Sequence, residues 1–259
     1  VLHKKKPIFS ILLLIVIITG CSSHSVNQSN EVDLTISAAV SLKDALEDIK
    51  QLYEDENSHV NIRFNFGGSG SLQQQIAQGA PTDIYFSAAE DKFNSLVEDG
   101  FIKEEDGTQL LENELVLVAP IEHNGVSEFD DLLQDDVQRI SIGTPETVPA
   151  GKYAKETLEF YDLWSDLQYK LVYAKDVRQV LAYVETGNVE AGIVYKTDAL
   201  QSDKVAIIAT ADPSSHSPIS YAVGIIHDTK NYGAAKDFYH YLQNQNSLEV
   251  FEHYGFTTH

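Results

Sequence analysis

The sequence predicts an α/β fold with mainly parallel sheets flanked by helices, in one large or two small domains. Short apolar runs alternate with amphipathic helical runs along most of the chain, the pattern of strands joined by helical crossovers. Several strand-to-helix junctions carry proline, small or hydroxyl-bearing residues, the types that start helices. A leader of 21 residues leaves 238 for the fold, enough to bury a sizeable core. No internal repeat or low-complexity tract stands out in those 238.

The elements follow in chain order. Leu34 to Ala38 reads as the first strand. Leu42 to Tyr53 places Leu42, Ala45, Leu46, Ile49, Leu52 and Tyr53 at helical spacing. Val60 to Phe66 alternates as a second strand. A second helix opens over 72–77, and Asp83 to Ser87 forms a third strand. Leu115 to Ala119 is a buried strand, ended by Pro120. A second set of units comprises strand 139–143, helix 152–161, helix 177–185 and strand 191–195. Tyr221 to Ile226 is again strand-like, and Tyr232 to Glu252 is helical. The apolar strands near 115–120 and 219–226 bracket a middle segment of about 100 residues. That bracketing suits a discontinuous first domain, a central second domain and two strands crossing between them.

Residues 1–21 read as a targeting segment. Lys4, Lys5 and Lys6 form a basic start, and Ile8 to Ile18 an apolar stretch too short to span a bilayer comfortably. Ile18-Thr19-Gly20-Cys21 resembles a bacterial lipobox, which predicts lipidation of Cys21, the only cysteine in the chain. Acyl chains there imply stable membrane attachment. Residues 22–31 are polar and predict a flexible tether.

Charge excludes one class of partner. Without the three leader lysines, 15 basic residues face 39 acidic ones, a formal charge of −24. Nucleic-acid binding rests on Lys and Arg neutralising phosphates, so no such partner is expected. An anion site is still compatible with this acidity. Surface charges beyond roughly 8 Å are largely screened, and a buried site can use neutral donors.

Four junctions share a physical property. Arg139-Ile140-Ser141-Ile142-Gly143 is a strand, and Val148-Pro149-Ala150-Gly151-Lys152 leads from it into a helix, with proline near the first helical position. The amides of a first helical turn lack internal partners, and the helix dipole favours an anion there. Ala150 and Gly151 leave those amides open to close approach. Ser41, before the run starting at Leu42, stands at an N-cap position. Gly67-Gly68-Ser69-Gly70-Ser71 permits tight turns and converging N–H groups, and it is not a P-loop because no lysine follows. Asp176 is an expected N-cap with Val177 as the first helical residue. Tyr195 ends an apolar strand at the edge where open α/β sheets place ligands. Each feature alone also suits ordinary capping or packing.

Enzyme motifs are missing. Gly68-Ser69-Gly70-Ser71 has the wrong spacing for a nucleophile elbow. The nine histidines form no His-x-x-x-His or His-Glu-x-x-His pair. Cys21, in the leader, is not available for catalysis, so no catalytic residue and no direct metal ligand is expected.

Taken together, these stretches resemble the molybdate-binding proteins of bacterial ABC importers. The resemblance runs from Ser37 to the end. Its most specific parts are Gly79-Ala80-Pro81-Thr82-Asp83-Ile84, Val148 to Glu156 and Gly192-Ile193-Val194-Tyr195. It implies a two-lobed periplasmic-binding-protein-like (type II) fold with two crossing strands as a hinge. Residues 32–117 plus 221–259 would form one lobe and 118–220 the other. Ser41 and Ser69 would each offer a hydroxyl and an N–H, Ala150 and Val177 an N–H, and Tyr195 its phenol. Val40 replaces a usual alanine, and the loop 67–70 is richer in glycine than is usual. The resemblance further implies a monomer without a cofactor, serving an ABC permease and its ATPase outside the cytoplasmic membrane. Molybdate and tungstate are tetrahedral dianions that only accept hydrogen bonds, so a donor-only site suits them. Another tetrahedral oxyanion such as sulfate is the alternative within this class, and an oxyanion-ester enzyme the alternative outside it.

Overall fold

The computed structural model describes residues 1–2, 31–122 and 125–258. The leader beyond Leu2, Cys21 and the tether as far as Asn30 lie outside the described residues. Residues 31–259 form one compact unit.

β1 (Val32–Ala39) enters from the surface, and its last four residues are buried. It pairs in parallel with β2 (Val60–Gly67) from Val32↔Val60 to Ala39↔Gly67. The return passes through a 3-10 turn, Val40–Leu42, and α1 (Lys43–Glu56). Ala45, Leu46, Ile49 and Tyr53 form the buried stripe of α1, the spacing that lays a helix on a sheet. α2 (Ser69–Ala77) leads to β3 (Ile84–Ser87), parallel to β1 on its other edge. α3 (Glu90–Glu98) and β4 (Ile102–Glu112) follow.

The chain then enters a second sheet at β5 (Leu115–Pro120). β6 (Ile140–Gly143), α4 (Pro149–Phe160), the single turn α5 (Trp164–Leu167) and β7 (Leu171–Ala174) come next. α6 (Val177–Glu185), β8 (Ala191–Tyr195), the turn α7 (Lys196–Ala199) and β9 (Val205–Thr210) complete this layer. β10 (Ser220–Ile226) returns to the first sheet, followed by α8 (Tyr232–Tyr241), α9 (Gln245–His253) and β11 (Thr257–Thr258).

The first sheet has the order β11-β4-β10-β3-β1-β2 and the second β7-β6-β8-β5-β9. This is the two-sheet α/β architecture expected, with one correction. The sheets are mixed, with four parallel and five antiparallel pairings, rather than mainly parallel. The antiparallel pairings all involve β10, β5 or β4, the strands on either side of the passages between sheets. Periodicity reports which face a strand buries, not its direction.

Those passages lie over 113–114 and 211–219 and run side by side. Asn113 N–H donates to the Ile219 carbonyl at 3.2 Å, and Ala211 N–H to Leu115 at 2.9 Å. β10 and β8 are buried along their whole lengths. Burying each Val, Leu or Ile side chain contributes about 1.5–3 kcal/mol, so these central strands anchor both sheets.

Candidate functional site

Each site residue is held by a local feature. Pro149 occupies the first position of α4 behind Val148 as N-cap, so Ala150 and Gly151 lie in the first turn. A Cβ on Gly151 would stand 2.0 Å from the Gly143 carbonyl oxygen. Only glycine lets the start of α4 sit this closely on the end of β6. At α6, Asp176 caps as expected, its carboxylate accepting from Gln179 N–H at 2.8 Å, and Val177 is the first helical residue.

Ser69 opens α2, with Gly68 as N-cap. Its Oγ accepts the Ala88 N–H at 2.9 Å, which leaves the serine proton unassigned. Ser41 corrects its sequence reading. It lies inside the 3-10 turn, α1 begins at Lys43, and no side chain caps it. The Ser41 Oγ lies instead 2.9 Å from the Tyr221 phenol on β10. A buried hydroxyl opposite it competes successfully with the helix start.

Tyr195 ends β8 and is 1% exposed. Its phenolic oxygen is buried without a hydrogen-bond partner among the described residues. Burial, reinforced by the fields of Tyr221, Tyr153 and Asp198, pushes its pKa well above the ordinary phenol value. It therefore remains an O–H donor. A buried polar group left unpaired costs roughly 1–3 kcal/mol, so an acceptor from outside the chain would be favourable there.

Ser41, Ser69, Ala150, Val177 and Tyr195 all line one small cavity, and the rest of its wall is alanine, valine, glycine and proline. No charged residue faces it. The backbone N–H groups of Ser41, Ser69, Ala150 and Val177 lie in the first turns of their helices, where the helix itself offers no acceptor. The starts of α2, α4 and α6 thus aim partial positive charge into the same space. The unsatisfied groups are donors, and the chemistry they offer is capture of an anion that only accepts.

Sequence reasoning missed the residues behind this wall. Arg178, next to Val177, forms ion pairs with Asp44 of α1 and Asp198 of α7, each at 2.5 Å. Asp198 is fully buried. Burial raises its carboxyl to about 6, although Arg178 works in the opposite direction. Burial works to lower the Arg178 guanidinium, and Asp198 and Asp44 outweigh it. The cation is thereby held by two carboxylates outside the cavity wall. At the rim, Gly70 N–H donates to the Thr147 carbonyl at 3.0 Å. A Cβ on Gly70 would stand 2.9 Å from that backbone.

Comparison with known proteins gives a consistent family. A family model described as bacterial extracellular solute-binding protein matches residues 34–257. The chain is 52% identical over 262 residues to "Putative ABC transporter substrate-binding lipoprotein YvgL" of Bacillus subtilis, covering 99% of both. It is 36% identical over 236 residues to the molybdate-binding protein ModA of Escherichia coli, covering 88% of this chain and 90% of that protein. The solved "substrate binding domain of putative molybdenum ABC transporter from Clostridium difficile" superposes with a TM-score of 0.67 at 42% identity. It covers 87% of this chain and 98% of that one.

Proposed function

The chain belongs to the bacterial extracellular solute-binding protein family, and we propose that it captures molybdate, and also tungstate, for an ABC importer. One observation carries this reading: hydroxyls and first-turn amides from both sheet layers converge on one small cavity whose lining holds no charged side chain and includes the unpartnered Tyr195 phenol. A tetrahedral dianion without protons has only acceptors to offer. Hydrogen bonds to a charged group contribute about 1.5–3 kcal/mol each, and several of them offset dehydration of the ion without lysine or arginine. The names of the Escherichia coli and Clostridium difficile relatives support molybdate as the cargo.

On this reading Ser41, Ser69, Ala150, Val177 and Tyr195 hold the ion, metal arriving only as oxyanion. Residues 32–112 with 220–258 act as one lobe and 115–210 as the other, joined at the passages between the sheets, so the boundary expected at 117/118 moves to the start of β5. Ion binding closes the lobes, and Gly68 and Gly70 permit the backbone contact with Thr147 in the closed form. Lipidated Cys21 tethers the monomer to the outer face of the cell membrane, and a permease with its ATPase receives the ion. The lipoprotein name of the Bacillus subtilis relative supports the anchor. The protein binds stoichiometrically and turns nothing over.

Ser69→Ala tests the site directly. It removes one charged hydrogen bond, so calorimetric titration with molybdate is expected to show a loss of about 1.5–3 kcal/mol. The variant also strands the Ala88 N–H, and thermal unfolding without ligand measures that separate cost. Unchanged affinity would remove Ser69 from the site.

A further inference from the structure

Two residues outside the cavity wall determine what one of its hydroxyls can do. Asn113 lies on the first passage between the sheets, and its Oδ1 accepts the Glu114 N–H at 2.9 Å. That contact fixes the amide's orientation, because Nδ2 cannot accept a proton from a backbone N–H. The Nδ2 end therefore faces the other way and donates to Thr197 Oγ1 at 2.8 Å and to the Tyr221 phenol at 3.2 Å. Both of its protons are committed. The Tyr221 oxygen accepts one of them, so its own proton must go elsewhere, and Ser41 Oγ lies 2.9 Å away. Tyr221 is fully buried. Were Ser41 to donate to Tyr221, the buried phenol proton would have no acceptor among the described residues, at the cost of stranding a buried polar group. Ser41 thus accepts from Tyr221, and its proton is left for the cavity. Ser69 is set the same way by a backbone donor, the Ala88 N–H.

We infer that Asn113 and Tyr221 are positioning residues that keep the Ser41 proton turned to the cavity, so that Ser41 meets a tetrahedral oxyanion as a donor. The inference deepens the proposed molybdate reading and rests on it. The relay starts at a backbone N–H, passes through Asn113 and Tyr221, and ends on the ion. An oxyanion with acceptor oxygens only, such as molybdate, draws the full benefit of that donor, whereas a hydrogen-bearing oxyanion such as hydrogen arsenate also needs an acceptor for its O–H.

A double-mutant cycle tests this in the full chain. Tyr221→Phe is expected to weaken molybdate binding about tenfold in calorimetry, and to have almost no effect on top of Ser41→Ala. A purely structural role for Tyr221 gives the same loss in both backgrounds, and that result overturns the relay. Asn113→Asp supplies an independent arm. A carboxylate only accepts, so Tyr221 turns its proton to it, Ser41 donates to Tyr221, and a lone pair faces the cavity. The preference for arsenate over molybdate at mildly alkaline pH is expected to rise by about tenfold or more. An added charge acting alone weakens both dianions equally, and an unchanged preference contradicts the relay. Failure of the unmodified protein to bind molybdate overturns the parent reading and the relay with it. A parent that binds while the cycle is additive overturns the relay alone.

Discussion

Ala150→Leu is expected to abolish molybdate binding while leaving the protein folded. Ala150 is fully buried in the first turn of α4 and lines the cavity. Its contribution is a main-chain N–H, so alanine scanning is blind to it and only added volume reports on it. Three further carbons at this position must enter the space the ion needs or force α4 off its seat on Gly143. Overpacking of this kind costs typically about 1–3 kcal/mol of stability. The binding loss is expected to be larger, on the order of a hundredfold or more, about 2.7 kcal/mol, because the N–H donors of α4 are displaced together. Calorimetric titration beside a ligand-free melting curve separates the two effects. Binding within a fewfold of the parent would place the ion somewhere other than this cavity.

The second large effect concerns stability. Arg178→Met leaves Asp198 fully buried without its cation. Breaking a buried pair from one side costs about 3–5 kcal/mol, and the lower end applies here because the Arg178 side chain is a quarter exposed. The loss depends on pH, with a definite sign. The Asp198 carboxyl already sits at about 6 in the folded protein, above roughly 4 in an unfolded chain. A raised folded-state value favours folding at low pH, and that advantage is lost as pH rises through the folded value. Removing Arg178 raises Asp198 further. The variant's deficit is therefore larger at about pH 8 and shrinks toward about pH 5, where Asp198 takes up a proton. Denaturant unfolding at the two pH values measures it. Arg178→Met combined with Asp198→Asn is expected to recover most of the loss at the higher pH. An equal loss at both pH values, unrelieved by the second substitution, contradicts the ion-pair account.

What the sequence made legible follows from what burial writes into it. β5, β8 and β10 are buried on both faces and read as continuous apolar runs. β4 escaped notice because Lys103, Glu104 and Glu105 are exposed and its period is irregular. The starts of α4 and α6 were legible because proline at a first position and aspartate at an N-cap are local signals. Ser41 shows the limit of such signals. A serine before a helical run looks like a cap, yet its partner Tyr221 lies 180 residues away. Asn113, and the triad of Asp44, Arg178 and Asp198, are likewise invisible until the chain brings both sheets together. The five cavity residues were assembled from the family resemblance. Their junctions alone support no more than helix starts.

The central claim is a donor-only cavity that selects unprotonated tetrahedral dianions of molybdate's size. Titration of the protein with molybdate, tungstate, sulfate and phosphate, by calorimetry and thermal shift together, tests it most directly. A ligand at 100 times its dissociation constant adds about 2.7 kcal/mol, which at this size is roughly 5–10 °C. The account predicts one-to-one binding of molybdate and tungstate with shifts of that order, and silence to sulfate and phosphate. A response to sulfate or phosphate with silence to molybdate, or silence to all four in folded, ligand-free protein, would contradict it.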